Sequence, residues 1–180
     1  MKLKIKDRDI VAGCKADKPQ SQELLYHQYS RLVMGIALRY TQNETDAEDI
    51  VQEVFIKIFT NINSLRDPDS LMAWIKTIST KTCLDFLKAK NKGLVTTSLD
   101  EITHEINDEK NALYDGIPTE KLLEFIQSLP DGYRTVFNLC AIDGYSYEEV
   151  AAMLGCSTSN VRSQYFRAKK QLKEKIENYE

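Results

Sequence analysis

The chain has 180 residues, 42% of them hydrophobic and 28% charged, with a formal net charge of -3. That balance fits one or two soluble globular domains, and no apolar run approaches the roughly 20 residues of a membrane helix. The charged N-terminus, MKLKIKDRDIVAGCKADK, lacks the apolar stretch of a secretory signal, so a cytoplasmic protein without direct membrane insertion is expected.

Residues 1–20 read as an N-terminal extension, after which Ser21 can cap a first long helix. Leu25, Tyr29, Leu32, Val33, Ile36, Ala37 and Tyr40 line one stripe of it, and Asn43–Thr45 breaks the pattern. A second helix, DAEDIVQEVFIKIFTNI, turns Ala47, Ile50, Val51, Val54, Phe55 and Ile58 inward. Leu65–Ser70, LRDPDS, is a polar turn, and LMAWIKTISTKTCLDFLKAK is a third helix anchored by Leu71, Trp74, Ile75, Ile78 and Phe86. From Asn91 to Asp115 the pattern dissolves into a mostly acidic stretch, read as a flexible linker. Pro118 and Thr119 restart helix with Leu122, Ile126 and Leu129, and Pro130-Asp131 begins another with Val136, Phe137 and Cys140 inward and Gly144 closing it. No segment alternates with period two long enough for a strand. The expectation is an all-α chain of two small helical domains, 21–92 and 117–180, joined by a flexible acidic linker, 93–116.

The last stretch, SYEEVAAMLGCSTSNVRSQYFRAKKQL (Ser146–Leu172), is the most specific. Ser146 and Glu149 have capping-box spacing, Val150, Ala151 and Leu154 form a stripe, and Gly155 stands where a left-handed residue ends the helix. Ser157 can cap a second helix with Val161, Tyr165, Ala168 and Leu172 inward. The arrangement is that of a helix-turn-helix. With Val161 inward, a 3.6-residue period turns Arg162, Ser163, Phe166, Arg167 and Lys170 outward together. Arginine binds guanine edges in bidentate fashion, and phenylalanine meets a thymine methyl, so this face suits a DNA major groove. The plainer alternative is an ordinary charged surface helix.

Charge is unevenly distributed. Trp74–Lys92 carries five lysines against one acid, Asp85, and Arg162–Lys175 carries six basic residues against Glu174 alone. Two basic islands in an acidic chain suggest two nucleic-acid contacts and acidic surfaces for a basic partner. Asp46, Asp49 and Glu53, with Glu48 and Gln52, give one helix face three readings: metal-binding carboxylates of an enzyme, a solvated face with acids near the helix N-terminus, or a docking face. No other helix supplies facing acids. Cys14, Cys83, Cys140 and Cys156 are scattered, and His27 and His104 form no cluster with them, so no metal is expected.

In this order, DAEDIVQEVFIKIF, AWIKTISTKTCLDFLK, the acidic linker and LPDGYRTVFNLCAIDGYSYEEVAAMLGCSTSNVRSQYFRAKKQL resemble the extracytoplasmic-function (ECF) class of RNA polymerase sigma factors, of the sigma-70 family, over about residues 21–176. The resemblance implies a non-enzymatic subunit with conserved regions 2 and 4, which directs promoter-specific initiation without a cofactor or small-molecule substrate. Asp49, Gln52, Glu53 and Phe55 match the motif that docks on the clamp helices of the polymerase's largest subunit. The turn with Arg66, Asp67 and Ser70, and the helix with Lys76, Lys81, Lys88 and Lys90, would melt and read the minus-ten element. Lys81 stands where many members have an asparagine that helps read these bases. Trp74 aligns with the family's tryptophan, although its apolar spacing points to the core first. Arg162, Ser163, Phe166 and Arg167 coincide with the minus-thirty-five readout positions, with Lys170, Ser157, Thr158 and Ser159 as further DNA contacts. The partners implied are core RNA polymerase, promoter DNA and an anti-sigma factor. Two rivals remain at this point: a stand-alone helix-turn-helix regulator with an N-terminal sensor domain, and a metal-dependent helical enzyme using Asp46, Asp49 and Glu53.

Overall fold

The computed structural model describes residues 6–90 and 117–179, so the expected linker, together with His104 and Lys92, lies outside the described residues. The chain divides into two compact units, one running to Ala89 and the other beginning at Lys90. The described elements are helical.

The first unit begins earlier than its sequence suggests. Residues Asp7–Lys15 form helix α1, with Asp7 and Asp9 in its first turn and Lys15 in its last, a charge order that favours the helix dipole. It buries Ile10, Val11, Gly13 and Cys14. Helix α2 spans Pro19–Tyr40, with Lys18 as N-cap and proline in the first turn, where a missing amide costs nothing. Ser21 is therefore not the cap. Its hydroxyl lies against α1 so closely that a Cβ at Gly13 would sit 1.9 Å from its Oγ. Gly13 is what lets the two helices approach. The stripe of α2 buries Leu25, Tyr29, Val33, Ile36, Ala37 and Tyr40, with Leu32 only half-buried. The Tyr29 hydroxyl donates to Asp7 Oδ2 (2.9 Å), and burial, helped by that hydrogen bond and carboxylate, pushes the phenol up to about 12.

Helix α3, Glu44–Asn61, is capped by Asn43, whose side chain accepts from the Asp46 amide at 2.8 Å. It buries Ala47, Ile50, Val51, Val54, Phe55 and Ile58, as their period requires. Two single 3-10 turns, Ile62–Ser64 and Pro68–Ser70, then lead into α4, Leu71–Lys90. The apolar anchors of α4 at Leu71 and Ile75 are buried, while Trp74, Ile78 and Phe86 are half-exposed. Cys83, Leu84 and Leu87 complete its inner face, together with small polar Ser79, Thr80 and Thr82.

In the second unit, α5 (Thr119–Gln127), α6 (Asp131–Phe137, continuing as a π turn over Asn138–Ile142), α7 (Tyr147–Leu154) and α8 (Thr158–Glu177) enclose a small core. Ile126, Leu129, Phe137, Ala168 and Leu172 form its centre, and Leu122, Phe125, Tyr133 and Tyr165 pack around them. At 1% exposure, Arg134 is an unexpected occupant of this interior. Its guanidinium donates to the carbonyls of Gln127 (3.1 Å) and Leu129 (2.7 Å) and pairs with Asp131. Gln127 is the last residue of α5 and Leu129 lies just beyond it, so the arginine ties the end of one helix to the first turn of the next.

Candidate nucleic-acid interface

The helix-turn-helix follows from local chemistry. The Ser146 amide donates to Glu149 Oε2 (2.8 Å) and the Glu149 amide to Ser146 Oγ (3.3 Å), a closed capping box. The hydrogen bonds from Ser146 hold the Glu149 carboxyl below its ordinary value. Gly155 takes φ +70°, and its amide and that of Cys156 both bond to the Ala151 carbonyl, which ends α7 in one residue. Ser157 then caps α8, its hydroxyl accepting from the Asn160 amide at 3.2 Å.

The structure differentiates the expected outward face of α8. Arg162 and Lys170 are exposed, as are Ser157 and Ser159, while Thr158 is half-buried. Ser163, Phe166 and Arg167 are also half-buried, so the phenylalanine is not the bare ring its spacing suggests. The Ser163 Oγ itself is buried without a hydrogen-bond partner, and Arg167 Nη1 lies 3.5 Å from the Tyr133 hydroxyl. Beneath Arg162 is a feature sequence reading missed. Tyr147, Tyr165 and Phe137 form a run of rings with centroids 5.8 and 6.3 Å apart, and the Arg162 guanidinium lies 5.7 Å from the Tyr147 centroid. A cation over an aromatic face is attracted by the ring quadrupole, which restricts where this arginine points. A buried amide pair, Gln164 Nε2 donating to Asn160 Oδ1 at 2.8 Å, fills the inner side of α8.

In the first unit, Asp49, Gln52 and Glu53 are exposed on α3, but Phe55 is 4% exposed, its ring packed 4.7 Å from that of Tyr26. The solvent-facing hydrophobic of this helix is Ile56, at 59% exposure. At a 3.6-residue period Ile56 follows Asp49, Gln52 and Glu53 on one face, so the acidic surface ends in an exposed apolar residue. Lys57 lies 3.5 Å from both Glu53 and Asp85, tying α3 to α4.

The turn of residues 65–70 is built by its own side chains. Asp67 Oδ1 accepts from the Asp69 amide (3.1 Å) and Oδ2 from the Ser70 hydroxyl (3.0 Å), which shapes the second 3-10 turn. Leu65 is buried and Arg66 exposed. Lys76, Lys81, Lys88 and Lys90 are all exposed on α4, but not on one side. The helical period places Lys76 and Lys90 with exposed Met72, and Lys81 and Lys88 beside Asp85. The first of these sides borders an open groove of about 830 Å³, lined by Lys6, Arg8, Tyr29, Asp69, Met72 and Lys76. Among the described residues no three His, Cys, Asp or Glu side chains are placed to hold a metal ion, and no helix is long and apolar enough to cross a membrane.

Comparison with known proteins gives these two surfaces a common context. The sequence pattern of Sigma-70 region 2 matches residues 25–93, and that of Sigma-70, region 4 matches residues 119–172. The ECF RNA polymerase sigma-E factor of Escherichia coli (strain K12) is 28% identical over 187 aligned positions, covering 98% of this chain and 97% of that protein. The ECF RNA polymerase sigma factor SigE of Mycolicibacterium smegmatis is 30% identical, covering 91% of this chain and 64% of that protein. Among solved structures, CnrH in complex with the cytosolic domain of CnrY has a TM-score of 0.52 at 22% identity, covering 96% of this chain and 97% of CnrH. The sigma factor RpoE of Bartonella quintana, solved with the anti-sigma factor NepR, has a TM-score of 0.52 at 20% identity, covering 84% of this chain and 94% of RpoE. Regions 2 and 4 of one family thus fall in that order along the chain, region 2 on the first helical unit and region 4 on the helix-turn-helix. The chain belongs to the extracytoplasmic-function class of the sigma-70 family of RNA polymerase sigma factors.

Proposed function

We propose that the chain gives bacterial core RNA polymerase its promoter specificity through a two-point grip, with no catalytic step or cofactor of its own. The second unit reads the minus-thirty-five element as duplex. Arg162 addresses base edges, Arg167 and half-buried Phe166 contribute beside it, and Lys170, Ser157, Thr158 and Ser159 hold phosphates. Ser163, whose hydroxyl is buried, is the weakest of these contacts. The first unit docks on the polymerase clamp helices through Asp49, Gln52, Glu53 and Ile56, while buried Phe55 supports that face from beneath. The 65–70 turn handles the minus-ten element. Arg66 is its outward group, Asp67 and Ser70 set its shape, and Lys76 and Lys90 track phosphates alongside, with Lys81 and Lys88 on the other side of α4.

The observation that carries this reading is the pairing of a capped helix-turn-helix, with Arg162 exposed at the start of its second helix, and a separate unit bearing both an acidic-apolar face and a basic one. The chain works in the cytoplasm with the polymerase, and an anti-sigma protein covering one of these faces holds it inactive. The test is run-off transcription by purified core polymerase with and without the chain. Chain-dependent starts at defined promoters are expected. No initiation, with tight promoter-duplex binding in the absence of polymerase, would instead establish a free-standing regulator.

A further inference from the structure

Helix α1, in the stretch read from sequence as a mere extension, reaches the minus-ten turn at both ends. At one end Arg8 Nε donates to Asp69 Oδ1 (2.9 Å) and Nη2 to Asp69 Oδ2 (2.5 Å), a bidentate fork across 61 residues of sequence. At the other, Lys15 Nζ donates to the Leu65 carbonyl at 2.6 Å. Arg8 and Lys15 stand seven residues apart on α1, close to two helical turns, and so lie on one side of it. The helix itself is fixed on α2 by buried Ile10, Val11 and Cys14, by the close approach at Gly13, and by Asp7 accepting from Gln28 and Tyr29.

We propose that α1 is a positioning element for promoter reading: Arg8 and Lys15 brace the two ends of the 65–69 segment and hold it in the shape that meets the minus-ten bases. The inference rests on the proposed role of that turn. Within it, Asp67 already organises Asp69 and Ser70 from inside, so a force on Asp69 is transmitted to the whole 3-10 turn. The Arg8 guanidinium also holds the Asp69 carboxyl below its ordinary value, chiefly through the hydrogen bond. The carboxylate therefore stays charged at any pH where transcription runs, and the brace is constitutive. Neither Arg8 nor Lys15 needs to touch DNA.

The test uses the full chain with core polymerase, comparing Arg8→Ala, Asp69→Ala, Lys15→Met and the exchange Arg8→Asp with Asp69→Arg. Each is read for core binding, for upstream-duplex recognition, and for initiation on a preferred promoter against single-base changes in the minus-ten element. The single substitutions are expected to lower minus-ten discrimination by about two- to fivefold, the scale of an exposed ion pair, while core binding and upstream recognition stay unchanged. The exchange should restore discrimination, which a DNA-contacting arginine would not do. Unchanged discrimination in the single variants, failure of the exchange to restore it, or loss traced to core binding would each overturn the brace. Absence of initiation by the unaltered chain would instead overturn the proposed function on which it rests.

Discussion

Arg162 and Arg134 show how differently two arginines in one small unit are used. Arg162 is exposed at the start of α8 over the Tyr147 ring, so its bond-forming edge is directed without being consumed. Arg162→Ala is expected to relax preference at one or two upstream bases, costing about 1–3 kcal/mol at those positions, as measured by binding to single-base promoter variants. Tyr147→Leu should weaken preference at the same bases to a smaller extent, because the arginine remains but its direction is lost. Lys170→Ala should weaken all sequences evenly and reduce the salt slope by about one. If Arg162→Ala behaved in that even way instead, its assignment as a readout residue would be wrong. Arg134 is spent on the fold. Arg134→Met removes the guanidinium that donates to the Gln127 and Leu129 carbonyls and pairs with Asp131, and is expected to cost about 3 kcal/mol in denaturant unfolding.

At the scale of elements, legibility tracked the range of the interactions. The bounds of α4, the Ser146–Glu149 box, Gly155 as C-cap and Ser157 as N-cap were readable because each depends on residues within about four positions. Helix α1 was not. It is nine residues long, contains a glycine that disfavours helix, and owes its place to contacts with α2 and the 65–70 turn. Phe55 has the spacing of a buried residue and the place of a contact motif, and only packing against Tyr26 decides between them. Ile56, which local pattern marks merely as an apolar residue off the stripe, emerges as the exposed apolar end of the acidic face.

Two glycines make the same point with opposite causes. A Cβ at Gly155 meets nothing within 4 Å, so Gly155→Ala should cost only the strain of its left-handed backbone, about 1–2 kcal/mol, seen as a lower melting midpoint. At Gly13 the obstacle is Ser21 itself. On α3, Glu53→Ala and Ile56→Lys should each weaken core polymerase binding while leaving upstream-duplex recognition intact. Equal loss of both would mean that α3 maintains the fold and does not dock.

At the scale of the whole molecule, the modest net charge conceals a division of labour. Basic residues cluster on α4 and α8 and an acidic face lies on α3, so a chain with a net charge of -3 still carries two basic surfaces suited to the proposed DNA contacts. Sequence order alone suggested this pairing, because two helical blocks of different chemistry follow one another at a family's spacing. What it could not supply was the groove that Lys76 lines together with Arg8 and Asp69. The most direct test of the two-point grip is initiation by core polymerase and this chain on a promoter library randomised throughout, with the transcribed templates sequenced. The account predicts two separated blocks of base preference, the upstream one relaxed at one or two positions by Arg162→Ala and the downstream one weakened by Arg66→Ala. A single block, or initiation without base preference, would contradict it.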